Sequence, residues 1–292
     1  MYKRQAQDNA VVYVPCHRSH IDYLLLSYVL YKNGLMPPHI AAGINLNMPV
    51  VGPILRRGGA FFMRRSFKDN PLYATVFNEY MHVMFSRGYS VEYFVEGGRS
   101  RTGRMLQPRP GMLSMTVRSF LRDHRKPIVF VPVYIGYEKV MEGRSYLGEL
   151  RGKKKQKENI FTLAKTARKL TNSFGKVAVN FGDPIHLSEV LDTIEPAWKE
   201  EAYDSAYRPA WLNRAVDELA FRVATHINSA VAVNPIGMTA TVLLGTERLA
   251  MDEAQLVKLM DQFAGLLQAN RYAETVTLPE GSGKDWLQYC EN

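Results

Sequence analysis

From residue 11 to residue 181 the sequence keeps returning to one unit: a short β-branched or aromatic run, a break at Pro or Gly, then apolar residues at helical spacing. Strands are expected at residues 11–14, 39–43, 60–63, 91–95, 128–135 and 177–181, and helices at 23–31, 70–87 and 111–122. Such alternation predicts an α/β fold, a mixed, largely parallel sheet flanked by helices. Pro132 falls inside the fifth run. A proline has no N–H for the ladder, so that strand is expected at an edge or to carry a bulge. Residues 45–53 are punctuated by Gly and Pro and read as a loop, with Met48, Val50 and Val51 exposed.

Beyond residue 200 the pattern changes. Leu212, Val216, Leu219, Val223 and Ile227 mark one helix, and Leu256, Leu259, Met260, Phe263 and Leu267 another. The expected organisation is an α/β domain over residues 1–204 and a C-terminal helical appendage over residues 205–292. Both ends are abrupt, so the first is expected to be incomplete at its N-terminus and the second truncated.

A chain of 292 residues, 46% of them hydrophobic, can bury a sizeable core. Its net charge of +9 favours an anionic partner: a phosphorylated substrate, nucleic acid or anionic lipid. The two cysteines, Cys16 and Cys290, stand at opposite ends, which argues against a disulfide framework and fits a reducing compartment. The first residues lack the apolar stretch of a signal peptide, and no apolar run reaches the roughly 18–20 residues of a membrane span. Membrane contact is therefore expected at the surface, where the exposed loop and the lysines at 153–155 and 157 could meet anionic lipid or an acidic carrier protein.

The first strand-to-helix turn carries the chemistry. Pro15 ends the strand, His17 follows, and Asp22 lies in the first turn of the helix. Crevices beyond the carboxyl ends of strands are where open α/β sheets bind ligands. A turn can fold Asp22 back onto one ring nitrogen of His17, fixing the tautomer and raising the basicity of the other nitrogen. A substrate hydroxyl can then be the nucleophile, with His17 as general base. Taken alone, the pair also reads as a loop histidine and a helix-start acid. Cys16 points away from His17 and reads as a buried structural thiol. His17, His20 and Asp22 crowd one turn without a further evident ligand, so no metal is expected.

Two further segments suit an anion. The loop from Glu96 to Arg104 leaves the end of the fourth strand, where the adjacent Gly97 and Gly98 let backbone N–H groups approach a ligand and Arg99, Arg101 and Arg104 supply charge. Glu96 could orient an arginine or the substrate. Arg64-Arg65 ends the third strand and could clamp a phosphate, although alternation puts the two on opposite faces. Pro132 reads as shaping the backbone more than touching substrate.

His17-Arg18-Ser19-His20-Ile21-Asp22 resembles the HxxxxD motif of the glycerolipid acyltransferase superfamily. Gly59 to Arg65 resembles its second block, Phe94 to Arg101 its third and Val131 to Tyr134 its fourth, in that order. The Val95-Glu96-Gly97-Gly98-Arg99 form is similar to that of the glycerol-3-phosphate and dihydroxyacetone-phosphate branches. Within them the chain is most similar to the bacterial membrane-bound glycerol-3-phosphate 1-O-acyltransferases, whose long N-terminal region is expected to be missing from these residues.

The resemblance implies that residues 1–204 are an acyltransferase domain. His17, oriented by Asp22, would deprotonate the sn-1 hydroxyl of glycerol 3-phosphate. The oxygen would attack the thioester of acyl-CoA or acyl-carrier protein, giving lysophosphatidate in the first step of phospholipid synthesis. Arg64, Arg65, Gly97, Gly98, Arg99 and Ser100 would be candidates for holding the phosphate, and Glu96 and Pro132 would support the site. The acyl donor is a co-substrate, and no cofactor is implied. The implied location is the cytoplasmic face of the inner membrane, peripheral or monotopic. Dihydroxyacetone phosphate or lysophosphatidate as acceptor is the nearest alternative. A non-catalytic basic module binding lipid or nucleic acid is the other, and four ordered blocks weigh against it and against a nucleic-acid partner.

Overall fold

All six residues of β1 (Ala10–Pro15) are buried, because the strand runs inside the sheet, parallel to β4 (Val91–Glu92) on one side and β5 (Ile128–Tyr137) on the other. A strand covered on both faces reads as continuously apolar rather than alternating. The computed structural model describes residues 9–64, 66–67, 70–152, 175–200 and 209–291. β2 (His39–Gly43) and β3 (Ala60–Met63) extend the sheet in parallel beyond β4. β6 (Val177–Phe181) and β7 (Ile185–His186) pair antiparallel with the far side of β5. The strand order is β3-β2-β4-β1-β5-β6, with β7 also beside β5, a mixed and largely parallel sheet.

Pro132 corrects one expectation, since its strand is interior and regular. The Pro132 carbonyl accepts a hydrogen bond from Gly182 N–H at 2.9 Å, so its ring nitrogen faces the same side. β6 ends at Phe181 and β7 begins at Ile185. The proline therefore sits opposite the break between them, where no ladder acceptor waits for an N–H. β4 is shorter than expected. After Glu92, Phe94 and Val95 leave the ladder, and Val95 O instead accepts from Arg109 N–H at 2.6 Å.

The helices are α1 (Asp22–Lys32), α2 (Val51–Arg57), α3 (Pro71–Ser86), α4 (Gly111–Arg122), α5 (Gly143–Leu150), α6 (Leu187–Ile194), α7 (Trp211–Ser229), α8 (Pro235–Leu244), α9 (Glu253–Ala269) and α10 (Gly283–Glu291) among the described residues. α2 was not legible as a helix because Gly52 and Pro53 read as loop. Pro53 lies in its first turn, where a missing N–H costs nothing. α4 buries Met112, Leu113, Thr116, Val117 and Phe120 at helical spacing. Asn70 caps α3 by accepting from Tyr73 N–H at 2.9 Å.

The region after residue 205 is not uniform. α7 packs into the main core through Leu212, Val216, Leu219, Val223 and Ile227. A second, small core joins α8, α9 and α10 through Met238, Val242, Leu256, Met260 and Trp286. The 204–205 boundary and the lysines at 153–155 and 157 lie outside the described residues.

One polar residue sits deep in this sheet. Glu92 registers beside Tyr13 and Ile40, is wholly buried, and finds no hydrogen-bond partner for either oxygen among the described residues. Burial first, and then the charge of Asp22, push its pKa well above the ordinary 4.5. The folded chain therefore holds this proton at pH values where the unfolded chain has lost it, and stability falls as pH rises above the unfolded value. Glu92→Gln should remove that slope, of about 1.4 kcal/mol per pH unit. Melting curves from pH 5 to pH 8 should show the variant gaining on the parent as pH rises; a constant difference would contradict a buried neutral acid.

Candidate active site

The carboxyl ends of β1, β4 and β5 converge on one turn. His17 leaves β1, the Glu96 loop leaves β4, and Tyr137 closes β5. Asp22 opens α1 and is wholly buried. Its Oδ2 accepts from His17 Nδ1 at 2.8 Å, Arg18 N–H at 2.7 Å and Ser19 N–H at 2.9 Å. Its Oδ1 accepts from the Tyr137 hydroxyl at 2.5 Å. Asp22 thus folds the turn back on itself rather than capping α1, whose N-cap is Ile21 with no side-chain cap bond. With Nδ1 donating to the carboxylate, Nε2 is the basic nitrogen. Burial and the Asp22 charge push the Tyr137 phenol far above its ordinary value, so it remains a donor. The His17 ring is stacked on Phe94, with centroids 4.0 Å apart.

The loop after β4 is fastened to the same turn. Glu96 is buried, and its carboxylate accepts from His17 N–H at 2.7 Å and Leu106 N–H at 2.6 Å, with Arg18 Nη1 at 3.4 Å from both oxygens. Both oxygens are occupied by the chain, so Glu96 supports the turn instead of touching a ligand. Ser100 N–H donates to His17 O at 2.9 Å. The Ser100 hydroxyl is buried and has no partner among the described residues. Gly97 adopts φ +65°, where a side chain would be strained and would collide with Arg109.

Arg99 reaches back across this loop. Its Nη1 donates to the Tyr146 hydroxyl at 3.0 Å and lies 3.5 Å from Glu142 Oε1. Arg101 pairs with Glu149 at 3.1 Å and lies over the Tyr146 ring. Arg64 is elsewhere: β2 and β4 separate its strand from β1, about 14 Å at the usual strand spacing. Its guanidinium stacks on Tyr73 of α3 at 4.8 Å. Arg65 lies outside the described residues. Pro132 is buried in mid-strand, below the turn. Of the sequence candidates, the structure therefore brings together His17, Asp22, Glu96, Arg99 and Ser100, and it does not join Arg64 or Pro132 to them by a contact.

The backbone N–H groups of His17, Arg18, Ser19 and His20 donate to Glu96, Asp22, Asp22 and Glu142, which removes them as stabilisers of a developing oxyanion. Cys16 is buried, exchanges hydrogen bonds with the Ile135 backbone, and has its thiol pushed up to about 12 by burial. It is structural, as its position predicts. Among the described residues no three His, Cys, Asp or Glu side chains gather to share a metal. Sequence reasoning missed Tyr137, Glu142 and Tyr146. Tyr137 carried a weak signal, as an aromatic two residues past a predicted strand end; the other two carried none.

Residues 2–136 match the family model described as acyltransferase, and residues 146–291 match that described as glycerol-3-phosphate acyltransferase C-terminal region. Proteins named glycerol-3-phosphate acyltransferase from Pseudomonas paraeruginosa and Ectopseudomonas mendocina are each 61% identical, over 287 and 286 residues. The alignments cover 98% of this chain but 34% and 35% of those proteins. This chain therefore spans about a third of the length of the curated relatives it matches. A solved structure titled 1-acyl-sn-glycerophosphate acyltransferase, PlsC, from Thermotoga maritima is 18% identical, with a TM-score of 0.39 over 76% of this chain and 68% of that one.

Glu96→Ala would leave the N–H groups of His17 and Leu106 without their acceptor and the Arg18 guanidinium facing the Arg104 carbonyl in place of a carboxylate. Breaking a buried pair this way costs about 3–5 kcal/mol. Chemical denaturation should record a loss of that size; a change under 1 kcal/mol would mean that the carboxylate does not hold the turn.

Proposed function

The chain belongs to the glycerol-3-phosphate acyltransferase C-terminal-region family, and from that membership we propose that it transfers a fatty acyl group from a thioester donor to the sn-1 hydroxyl of glycerol 3-phosphate. His17 Nε2 takes the hydroxyl proton while the oxygen attacks the thioester carbonyl. The carbon–sulfur bond breaks, and the proton passes from the imidazolium to the departing sulfur. Asp22 holds the ring and stabilises its cation without taking the proton. No nucleophile from the protein is required. The donor is acyl-CoA or acyl-carrier protein.

Arg99 holds the phosphate in this reading, and the glycine pair 97–98 offers N–H groups to the oxyanion. The observation that carries the proposal is the union of two blocks: His17 Nδ1 bonds Asp22 at 2.8 Å, and His17 O accepts from the residue after Arg99 at 2.9 Å. A base and an anion-binding cation thereby share one scaffold. Arg64 is the weaker candidate because of its distance across the sheet.

The chain is further proposed to act at the cytoplasmic face of the inner membrane, as a peripheral or monotopic protein. No described helix is long and apolar enough to cross a membrane. Support for surface contact comes from α2 and its N-cap, where Ile54 and Val50 are about 60% exposed beside Arg56 and Arg57.

A labelled acyl donor offered glycerol 3-phosphate, dihydroxyacetone phosphate and lysophosphatidate in turn should label the first; preference for either of the others changes the acceptor. His17→Ala should abolish turnover with the fold intact. Arg99→Ala should raise the KM for glycerol 3-phosphate about 10- to 100-fold, the worth of a hydrogen bond to a charged group, and leave that for the donor unchanged. An unaltered acceptor KM would remove Arg99 from the phosphate site.

A further inference from the structure

The segment that follows β5 reaches the catalytic turn from outside every block recognised in the sequence. Glu142 precedes α5, and its carboxylate accepts from Ser19 Oγ at 2.9 Å and His20 N–H at 2.9 Å, both in the turn between His17 and Asp22. The same carboxylate faces Arg99 Nη1 at 3.5 Å. One turn of helix later, the Tyr146 hydroxyl donates to Arg18 O at 2.9 Å and accepts from Arg99 Nη1 at 3.0 Å. Two side chains from one segment thus make the same bridge twice. Each touches the turn that carries the base, and each touches the arginine of the glycine loop.

We infer that Glu142 is a positioning residue: with Tyr146 it ties the His17 turn to Arg99, so that the base and the phosphate-holding cation keep one spacing. The inference rests on the reading of Arg99 given above. Ser19 is wholly buried, and the side chains of Arg99 and Glu142 are 9% and 12% exposed. Bonds so shielded from water hold geometry better than surface pairs. Tyr146 keeps its proton, because burial pushes its phenol up to about 12, and a protonated phenol can donate to Arg18 O while accepting from Arg99. The tie matters because a glycerol backbone is short. Its hydroxyl must meet Nε2 while its phosphate meets the guanidinium, and a misplacement of about 1 Å costs on the order of 100-fold in rate.

The two contacts of Glu142 can be separated. Glu142→Gln keeps an acceptor oxygen for Ser19 and His20 and loses the charge that faces Arg99. Glu142→Ala loses both. The glutamine variant should raise the KM for glycerol 3-phosphate about ten-fold, with kcat and the donor KM near their parental values. The alanine variant should in addition lower kcat about 100-fold. Should the alanine variant fail to fold, the glutamine variant alone decides. Lowered melting temperatures with parental kcat and KM values would make Glu142 purely structural and overturn the inference. A lower acceptor KM would also overturn it, because Glu142 would then compete with the phosphate for Arg99. Calorimetric titration with glycerol 3-phosphate provides a readout without turnover. If the parent binds but transfers no acyl group, the proposed reaction fails while the tie is still tested: about ten-fold weaker binding to the glutamine variant supports it, and equal binding refutes it. If the parent does not bind at all, both fall.

Discussion

A single carboxylate organises the candidate site. Asp22 accepts from the His17 ring, from the N–H groups of Arg18 and Ser19, and from the Tyr137 hydroxyl. Those four donors come from β1's exit turn and from the end of β5, which lies beside β1 in the sheet. The turn therefore cannot be reshaped without depriving a buried carboxylate of its donors, and leaving a buried acid unpaired is among the costlier events in a folded chain. That constraint makes the His17 ring's orientation a property of the sheet rather than of a loop.

Around it the cations are matched locally. Arg18 faces Glu96, Arg99 faces Glu142, and Arg101 faces Glu149. Three arginines around the turn are thus each paired with an acid. The arginines are oriented instead of merely numerous, each held by a named acid or aromatic partner. Glu92 is the exception in the neighbourhood. Neither of its oxygens has a hydrogen-bond partner among the described residues, and burial favours its neutral form.

Most of the framework was legible because the signal was local. The runs that became β1, β2, β3, β5 and β6 are short, apolar and sharply ended, and the His17–Asp22 pair sits within one turn. What escaped detection depended on distant partners. Pro132 looked like an edge residue, and only the gap between β6 and β7 explains its interior place. Val51–Arg57 forms a helix despite Gly52 and Pro53 because the proline falls in the first turn. Glu142 and Tyr146 carry no periodicity or motif of their own, and their use arises from where β5 ends. Glu96 was legible as a strand-end acid, but its preference for backbone donors over a ligand was not.

Cys16 has a consequence of its own. Its sulfur lies one residue before the proposed base and is wholly buried, with the thiol held up to about 12. Alkylating reagents attack thiolates, so the native chain should shelter this sulfur from them. The strand must part from β5 before the sulfur meets solvent. The rate at which it is capped, read apart from that of the more accessible Cys290, thus becomes an internal clock for the opening of the sheet beside the His17 turn.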